Sequence, residues 1–506
     1  MSFLQRLGKV FLLLRVSSFL KDFFTTSGTS VISTVALLLM MRLLTGYFSP
    51  AGFGAYSLVR RILASFIPIA CLGANAALPF FVARVANDLD RKRYLAGATI
   101  SIILFLSLFL LLGVSFKKQL AILLFQSYAY ESLVIALLFI IAGYAFQTTI
   151  YSFYRGTLDI QLANLWEILL VAVGPLLVVV VTGHLQRVDV VVLGIGILTW
   201  VALIPLISGL VEVLWHTKWS DLVQPTRDLL NYGIPRIPGS FYSAALLGYG
   251  PFLVSKLGTF EEAGYLSASL SILSIIQTPI LAFGTVILPR ISRMSQNGDQ
   301  ESIATITEAI TEMVFQLGTF VTCCSMIWTP EIVMLLLGPE YGNAIPLMRI
   351  VLLAIVPYLT YVLLRSVIDA VDTRSINTNH LFISLGVAVL CSLLGIRFIG
   401  VGSGVTVGIV FGMYTLGGLT LYYLFRKYRI QIAYLPVLQI LVINGVLMIA
   451  QIIMRESITM VWSKTLQYAF LMLSVMIFGL LYGWILLKIK GQWIVNFFQY
   501  IHVRNH

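Results

Sequence analysis

Six arginines lie inside or at the ends of long apolar runs: Arg42, Arg60, Arg61, Arg236, Arg349 and Arg365. A cation at the centre of a bilayer costs about 2.5–3.5 kcal/mol on insertion scales, so such residues usually face a polar cavity. Acidic partners in the same runs are fewer, namely Glu167, Asp369 and Asp372. The imbalance predicts a positive lumen. Its chemistry would be the holding of phosphate, because the planar guanidinium fork donates paired hydrogen bonds to phosphate oxygens. Arg42, Arg60, Arg61 and Arg236 are therefore the primary candidates for binding a pyrophosphate. Arg349, Arg365, Asp369, Glu167 and Asn75 are secondary cavity candidates. The competing reading is that Arg42, Arg236 and Arg365 snorkel, with their stems in lipid and their heads at the interface. Arg60 and Arg61 are adjacent, about 100° apart on a helix, and so need not share one cavity.

The elements that must position these residues are set by composition. With 59% hydrophobic and 11% charged residues and a mean hydropathy of +0.95, the chain is far more apolar than soluble domains, in which about 25% of residues are charged. Runs of about 20 apolar residues mark about 14 spans, the second at 55–82 and the eighth at 262–288. Most of the 33 Lys and Arg fall in the termini and in alternate loops, which places both termini in the cytoplasm by the positive-inside rule. The net charge of +12 is thus a topology signal, and no nucleic-acid partner is expected. The four cysteines sit in apolar runs without paired spacing, and the five histidines are scattered. Neither pattern implies a metal or cofactor.

The chain is also duplicated. Residues 29–61 return about 210 residues later at 239–273, with Ala51-Gly-Phe-Gly-Ala-Tyr-Ser-Leu58 echoed by Ala263-Gly-Tyr-Leu-Ser-Ala-Ser-Leu270. Leu78-Pro79 recurs as Leu288-Pro289, Asn87 as Asn297, Gly194 as Gly404, and Arg155-x-x-x-Asp159 as Arg365-x-x-x-Asp369. Several matches in one order at one spacing argue for two copies of a six-helix unit, a common way to build a transporter. An even number of spans per copy relates them by an axis along the membrane normal. The expected fold is an all-α polytopic membrane protein with two pseudo-symmetric six-helix lobes plus two C-terminal helices.

In order, the boundaries are an interfacial N-terminal helix at 1–24, an N-lobe at 25–212 and a cytoplasmic linker at 213–228. A C-lobe at 229–426, two further spans at 427–490 and an interfacial aromatic tail at 491–506 complete the chain. Asp88-Leu-Asp90, followed by Arg91-Lys-Arg93, reads as a solvated loop. Tyr232-Gly-Ile-Pro-Arg-Ile-Pro-Gly239 predicts irregular backbone at the entry to a span, tolerated only against protein or a water-filled cavity. Residues 289–312 read as an amphipathic loop on the inner surface. Gly400, Gly402, Gly404, Gly408 and Gly412 read as a surface for close helix packing.

Three segments carry a family resemblance: Leu-Leu-Asn-Tyr-Gly-Ile-Pro-Arg at 229–236, Glu-Glu-Ala-Gly-Tyr-Leu-Ser-Ala at 261–268 and Leu-Leu-Gly-Pro-Glu-Tyr-Gly-Asn-Ala-Ile-Pro at 336–346. With the fourteen spans and two lobes, the chain resembles the polysaccharide-transport branch of the multidrug/oligosaccharidyl-lipid/polysaccharide (MOP) exporter superfamily. The resemblance implies a flippase, not an enzyme. It would move a polyprenyl-pyrophosphate-linked oligosaccharide, either a polysaccharide repeat unit or a peptidoglycan precursor, between leaflets of the plasma membrane by alternating access. The implied partners are membrane lipid, that substrate and polysaccharide polymerase machinery. Two other classes compete. A drug or cation exporter of the same superfamily would be expected to carry acidic lumen residues. A membrane polymerase or ligase acting on lipid-linked sugars generally needs a large outer loop, and the outer loops here are short.

Overall fold

Several helix boundaries fall at a glycine or a capping side chain, as at Gly73, Asn87 and Gly298. The computed structural model describes residues 18–372, 374–428, 434–461, 473 and 477–482, and among these every regular element is helical. The first ten α-helices are α1 Ser18–Tyr47, α2 Pro50–Ala70, α3 Ala74–Val82, α4 Asp88–Ser115, α5 Lys117–Phe125, α6 Glu131–Gly156, α7 Ile160–Glu167, α8 Gly174–Thr182, α9 Val188–Trp200 and α10 Leu203–His216. The next ten are α11 Ser220–Gly233, α12 Ile237–Leu257, α13 Phe260–Gln296, α14 Gln300–Ile327, α15 Thr329–Leu336, α16 Ala344–Leu352, α17 Ile355–Val371, α18 Ile376–Ile399, α19 Val401–Tyr428 and α20 Tyr434–Val461.

Nine helical stretches among the described residues are long and apolar enough to cross a bilayer, or ten if α16 and α17, bent by 48°, form one span. Helices α12, α13 and α20 add lengths of 21, 37 and 28 residues, each enough to span at 1.5 Å per residue. The chain is therefore an all-α polytopic membrane protein. The expected last span and aromatic tail lie largely outside the described residues, as do residues 1–17. The described end of the expected N-terminal helix, 18–24, is continuous with α1.

Two expected features are built differently. The second span is a broken pair, α2 and α3. Pro68 cannot donate a backbone hydrogen bond, and Leu72 and Gly73 turn left-handed at φ 51° and 74°. The stretch 289–312, expected as a surface loop, is almost wholly helical. Helix α13 runs to Gln296, Gly298 turns at φ 73°, and the Asp299 side chain accepts from Ser302 N at 3.2 Å to start α14. The loop shrinks to the three residues that can turn and cap.

The helices form two units. In the unit of residues 28–275 and 381–412, α12 packs along α2, and α9 along α6, where Phe139 stacks on Trp200 at 4.8 Å. In the same unit Gly404, Gly408 and Gly412 of α19 lie against Gly395, Ser392 and Ala388 of α18, so closely that a Cβ at any of the three glycines would meet α18. The glycine series thus packs as small-residue helix interfaces in membranes do. Gly400 does not share it, being a turn residue at φ 85° with open space around it.

In the other unit, residues 1–27, 276–380 and 413–506, α14 packs on α17 and α20. A polar stripe joins α20 to α14 and α15. Asn444 donates to Thr319 at 2.8 Å, Gln451 approaches the Cys324 sulfur at 3.1 Å, and Arg455 donates to the buried Glu331 at 2.9 Å. The Tyr482 hydroxyl donates to the Gln316 carbonyl at 3.0 Å, and its ring stacks on Phe320 at 4.6 Å. In lipid there is little hydrophobic drive between helices, so packing and such hydrogen bonds supply the association.

Candidate functional site

Phe53, Ser57, Arg60 and Ala64 recur on α2 at intervals of three and four residues, with Tyr56 and Arg61 beside them. Together they face a cavity of about 250 Å³. Helix α1 contributes Leu37, Met40, Met41 and Leu44, α12 contributes Ala244 and Leu247, and α13 contributes Ser271, Ser274 and Ile275. The two adjacent arginines share this cavity because it wraps round a broad face of α2. Arg60 lies within electrostatic reach of Tyr56 and Tyr144. Hydroxyls come from Tyr56, Ser57, Ser271 and Ser274, and none of the described lining residues is acidic. The wall is otherwise apolar, so the two guanidiniums define the cavity's charge.

The remaining sequence candidates lie elsewhere. Arg42 is exposed, roughly 100° round α1 from Met41 and off the stripe that faces the cavity. Arg236 is exposed on the short turn Ile234–Arg236, its guanidinium 3.5 Å above the Tyr232 ring and donating to the Tyr232 carbonyl at 2.9 Å. Arg349 is exposed in the last turn of α16. Asn75 is half-buried on α3, 3.7 Å from the Cys71 sulfur.

Glu167, Arg365 and Asp369 belong to a repeated side-chain cluster. In the first copy the Tyr151 hydroxyl donates to Glu167, with Arg155 nearby. In the second copy Arg365 hydrogen-bonds Tyr361, and the Asn377 amide donates to the Arg365 carbonyl at 3.1 Å and to Asp369 at 2.7 Å. Tyr151, Arg155, Asp159 and Glu167 stand one repeat before Tyr361, Arg365, Asp369 and Asn377. The two Tyr and the Glu167/Asn377 correspondence escaped the sequence reading, although Tyr-x-x-x-Arg-x-x-x-Asp is present in both copies. Just beyond α17, Asp372 is held well below the usual carboxylate range by its hydrogen bonds from Arg374, with the Tyr423 hydroxyl also donating.

At the other end of α2 and α3, Lys92 and Arg93 of the basic run are neutralised, and Arg91 donates to the Val85 carbonyl at 2.7 Å. Lys92 pairs with Glu212 at 2.6 Å and Asp88 at 3.0 Å, and Arg93 pairs with Asp90 at 2.6 Å and Asp221 at 3.6 Å. Both carboxylates of the Asp-x-Asp are thereby engaged.

Broken membrane helices around a polar cavity, built from repeated sequence, define a multi-pass membrane transporter. Residues 19–295, more than half of the chain, match the family model for polysaccharide biosynthesis protein. The chain belongs to that family, within the MOP superfamily. Among solved structures, it is similar to the lipid II flippase MurJ in an inward closed conformation, with 13% identity, a TM-score of 0.65, and coverage of 92% of this chain and 98% of that one. It is also similar to an inward-facing multidrug resistance MATE family transporter, with 14% identity, a TM-score of 0.64, and coverage of 80% and 98%. A third likeness is to a MOP superfamily transporter from Pyrococcus furiosus, described as having a binding pocket of reverse polarity. There the identity is 14%, the TM-score 0.55 and the coverage 82% and 97%. A comparison with curated proteins found no significant match. The likenesses place the fold among transporters and flippases.

Proposed function

We propose that the protein is a flippase that carries a polyprenyl-pyrophosphate-linked oligosaccharide from the inner to the outer leaflet of the plasma membrane, with both termini cytoplasmic. The observation that carries this reading is the cavity between α1, α2, α12 and α13, in which Arg60 and Arg61 are the charged lining residues among those described. A cationic cargo would be repelled there. A diphosphate would receive forked hydrogen bonds from the guanidiniums and a further donor from Ser57. Because a ligand moves a two-state carrier only by binding its two states differently, the arginines would hold the diphosphate in the inward state and release it in the outward one. The sugar, once outside, would pass to polymerase machinery.

The test is deletion of the gene followed by analysis of lipid-linked intermediates in each leaflet. The expected result is accumulation of one polyprenyl-diphosphate oligosaccharide on the inner leaflet, cleared by the intact gene. Unchanged levels of every lipid-linked oligosaccharide, together with increased sensitivity to cationic drugs, would support the exporter alternative instead.

A further inference from the structure

Arg84 and Arg236 lie far apart in sequence but are held by one aromatic stack. The Arg84 guanidinium sits 3.6 Å from the Phe80 ring centroid, Phe80 stacks on Tyr232 at 4.2 Å with 22° between planes, and Arg236 sits 3.5 Å from the Tyr232 centroid. A ring face already covered at 4.2 Å has no room for a guanidinium, so each arginine occupies the outer face of the pair. Phe81 closes the edge of Tyr232 at 5.5 Å and stacks on Tyr94 at 5.3 Å. The scaffold beneath is tight. Gly73 and Gly233 pack backbone on backbone, leaving no space for a Cβ at Gly73.

Both guanidiniums are exposed, and among the described residues neither forms an ion pair. Their neighbours differ: Lys92 and Arg93 are neutralised, and the adjacent Asp228 is engaged by Gln224 at 2.7 Å and by the Tyr94 hydroxyl. Stacking fixes a guanidinium's plane while leaving its N–H edge open to an anion, and Arg236 uses one nitrogen on the Tyr232 carbonyl. By the charge bias of the loops, this stack lies at the inner-leaflet surface, whereas Arg60 and Arg61 lie deeper along α2.

We propose that Arg84 and Arg236, on the stacked Phe80–Tyr232 pair, form an anion-docking station that takes the phosphate ester of an inner-leaflet lipid. Resting on the flippase reading, the station would capture the substrate's diphosphate before it reaches Arg60 and Arg61. The same chemistry would also accept a bulk anionic phospholipid headgroup.

The test uses the full chain in phosphatidylcholine nanodiscs, with farnesyl diphosphate as the probe and phosphatidylglycerol as the competing headgroup. The double variant R84Q/R236Q should weaken farnesyl diphosphate binding at least fivefold without lowering the melting temperature, and R84K/R236K should restore part of it. F80L, which keeps both charges but removes a platform, should weaken binding less. Displacement by farnesyl diphosphate alone assigns the station to the substrate, and equal displacement by phosphatidylglycerol assigns it to bulk lipid. Unchanged binding of both probes in folded R84Q/R236Q overturns the station. R60Q/R61Q serves as the separate control: if it retains transport, the flippase mechanism fails while the station's binding result stands.

Discussion

Gly54 of α2 and Gly264 of α13 sit backbone to backbone: a Cβ on Gly54 would lie 3.0 Å from the Gly264 nitrogen, and one on Gly264 would lie 3.3 Å from the Gly54 nitrogen. The relation is reciprocal to the atom. Each added Cβ would also strike a carbonyl one turn before the other glycine, that of Phe260 or of Pro50. Since 54 and 264, and 50 and 260, are the same repeat positions, a local two-fold axis passes between these helices. Side chains longer than hydrogen would force the crossing apart.

Gly54→Ala should therefore loosen the end of the cavity above Phe53 and Ser57. In a background lacking the four native cysteines, a cysteine at Ser57 should react severalfold faster with an impermeant thiol reagent added from outside when Gly54→Ala is present. Equal rates would mean that the crossing does not control access to the cavity.

The ion pair of Glu331 and Arg455 anchors α20 to α15. Glu331 is buried, and its second carboxylate oxygen has no hydrogen-bond partner among the described residues. Removing Arg455 would leave a buried, uncompensated carboxylate, a change that typically costs about 3–5 kcal/mol. Because Arg455 keeps part of its surface exposed, the low end is expected, read as a fall in melting temperature in detergent. The double variant E331M/R455L should recover most of the loss.

Asp372 predicts an acid limit to stability. Arg374 and Tyr423 lower its folded-state pKa, so its contribution is present above the unfolded value, about 3.9, and is lost as pH falls through the folded value. The melting temperature should fall below about pH 4 from this source, and Asp372→Asn should remove that part of the acid sensitivity. It should leave the profile between neutral and mildly acidic pH unchanged.

The parts of this molecule legible in the sequence are those set by composition and repetition. Helical membrane architecture follows from long apolar runs, and the repeat offset locates Gly54 against Gly264. The eight-residue strings Ala51–Leu58 and Ala263–Leu270, matched by residue type, are two residues out of the register in which these glycines actually meet. The arginines were visible as anomalous charges, but their direction was not. One step along α1 separates Met41, in the cavity wall, from Arg42, outside it. Which face of α1 turns inward depends on packing with α2 and α13, which a single strand of letters does not encode. The break at Leu72 was only half legible: Pro68 marks a weak point, but a left-handed leucine has no sequence signature, and the packing of Gly73 against Gly233 is visible only in the fold.

The geometry of α1 and α2 gives a graded prediction for the arginines themselves. Arg60 and Arg61 line the cavity and Arg42 does not, so oligosaccharide export normalised to protein level should fall at least tenfold in Arg60→Ala and Arg61→Ala and less than threefold in Arg42→Ala. A tenfold loss corresponds to about 1.4 kcal/mol, just under the ~1.5–3 kcal/mol of a hydrogen bond to a charged group, so tenfold is the floor of the expected effect. Lysine at 60 or 61 should restore export only in part, since it keeps the charge but not the planar fork. At position 42 lysine and glutamine should both be tolerated, as expected of a side chain that reaches toward the interface. Near-normal export in both Arg60→Ala and Arg61→Ala would exclude a mechanism in which this cavity holds the diphosphate. A large loss in Arg42→Ala at normal protein level would instead require α1 to rotate during transport, bringing Arg42 onto the substrate's path.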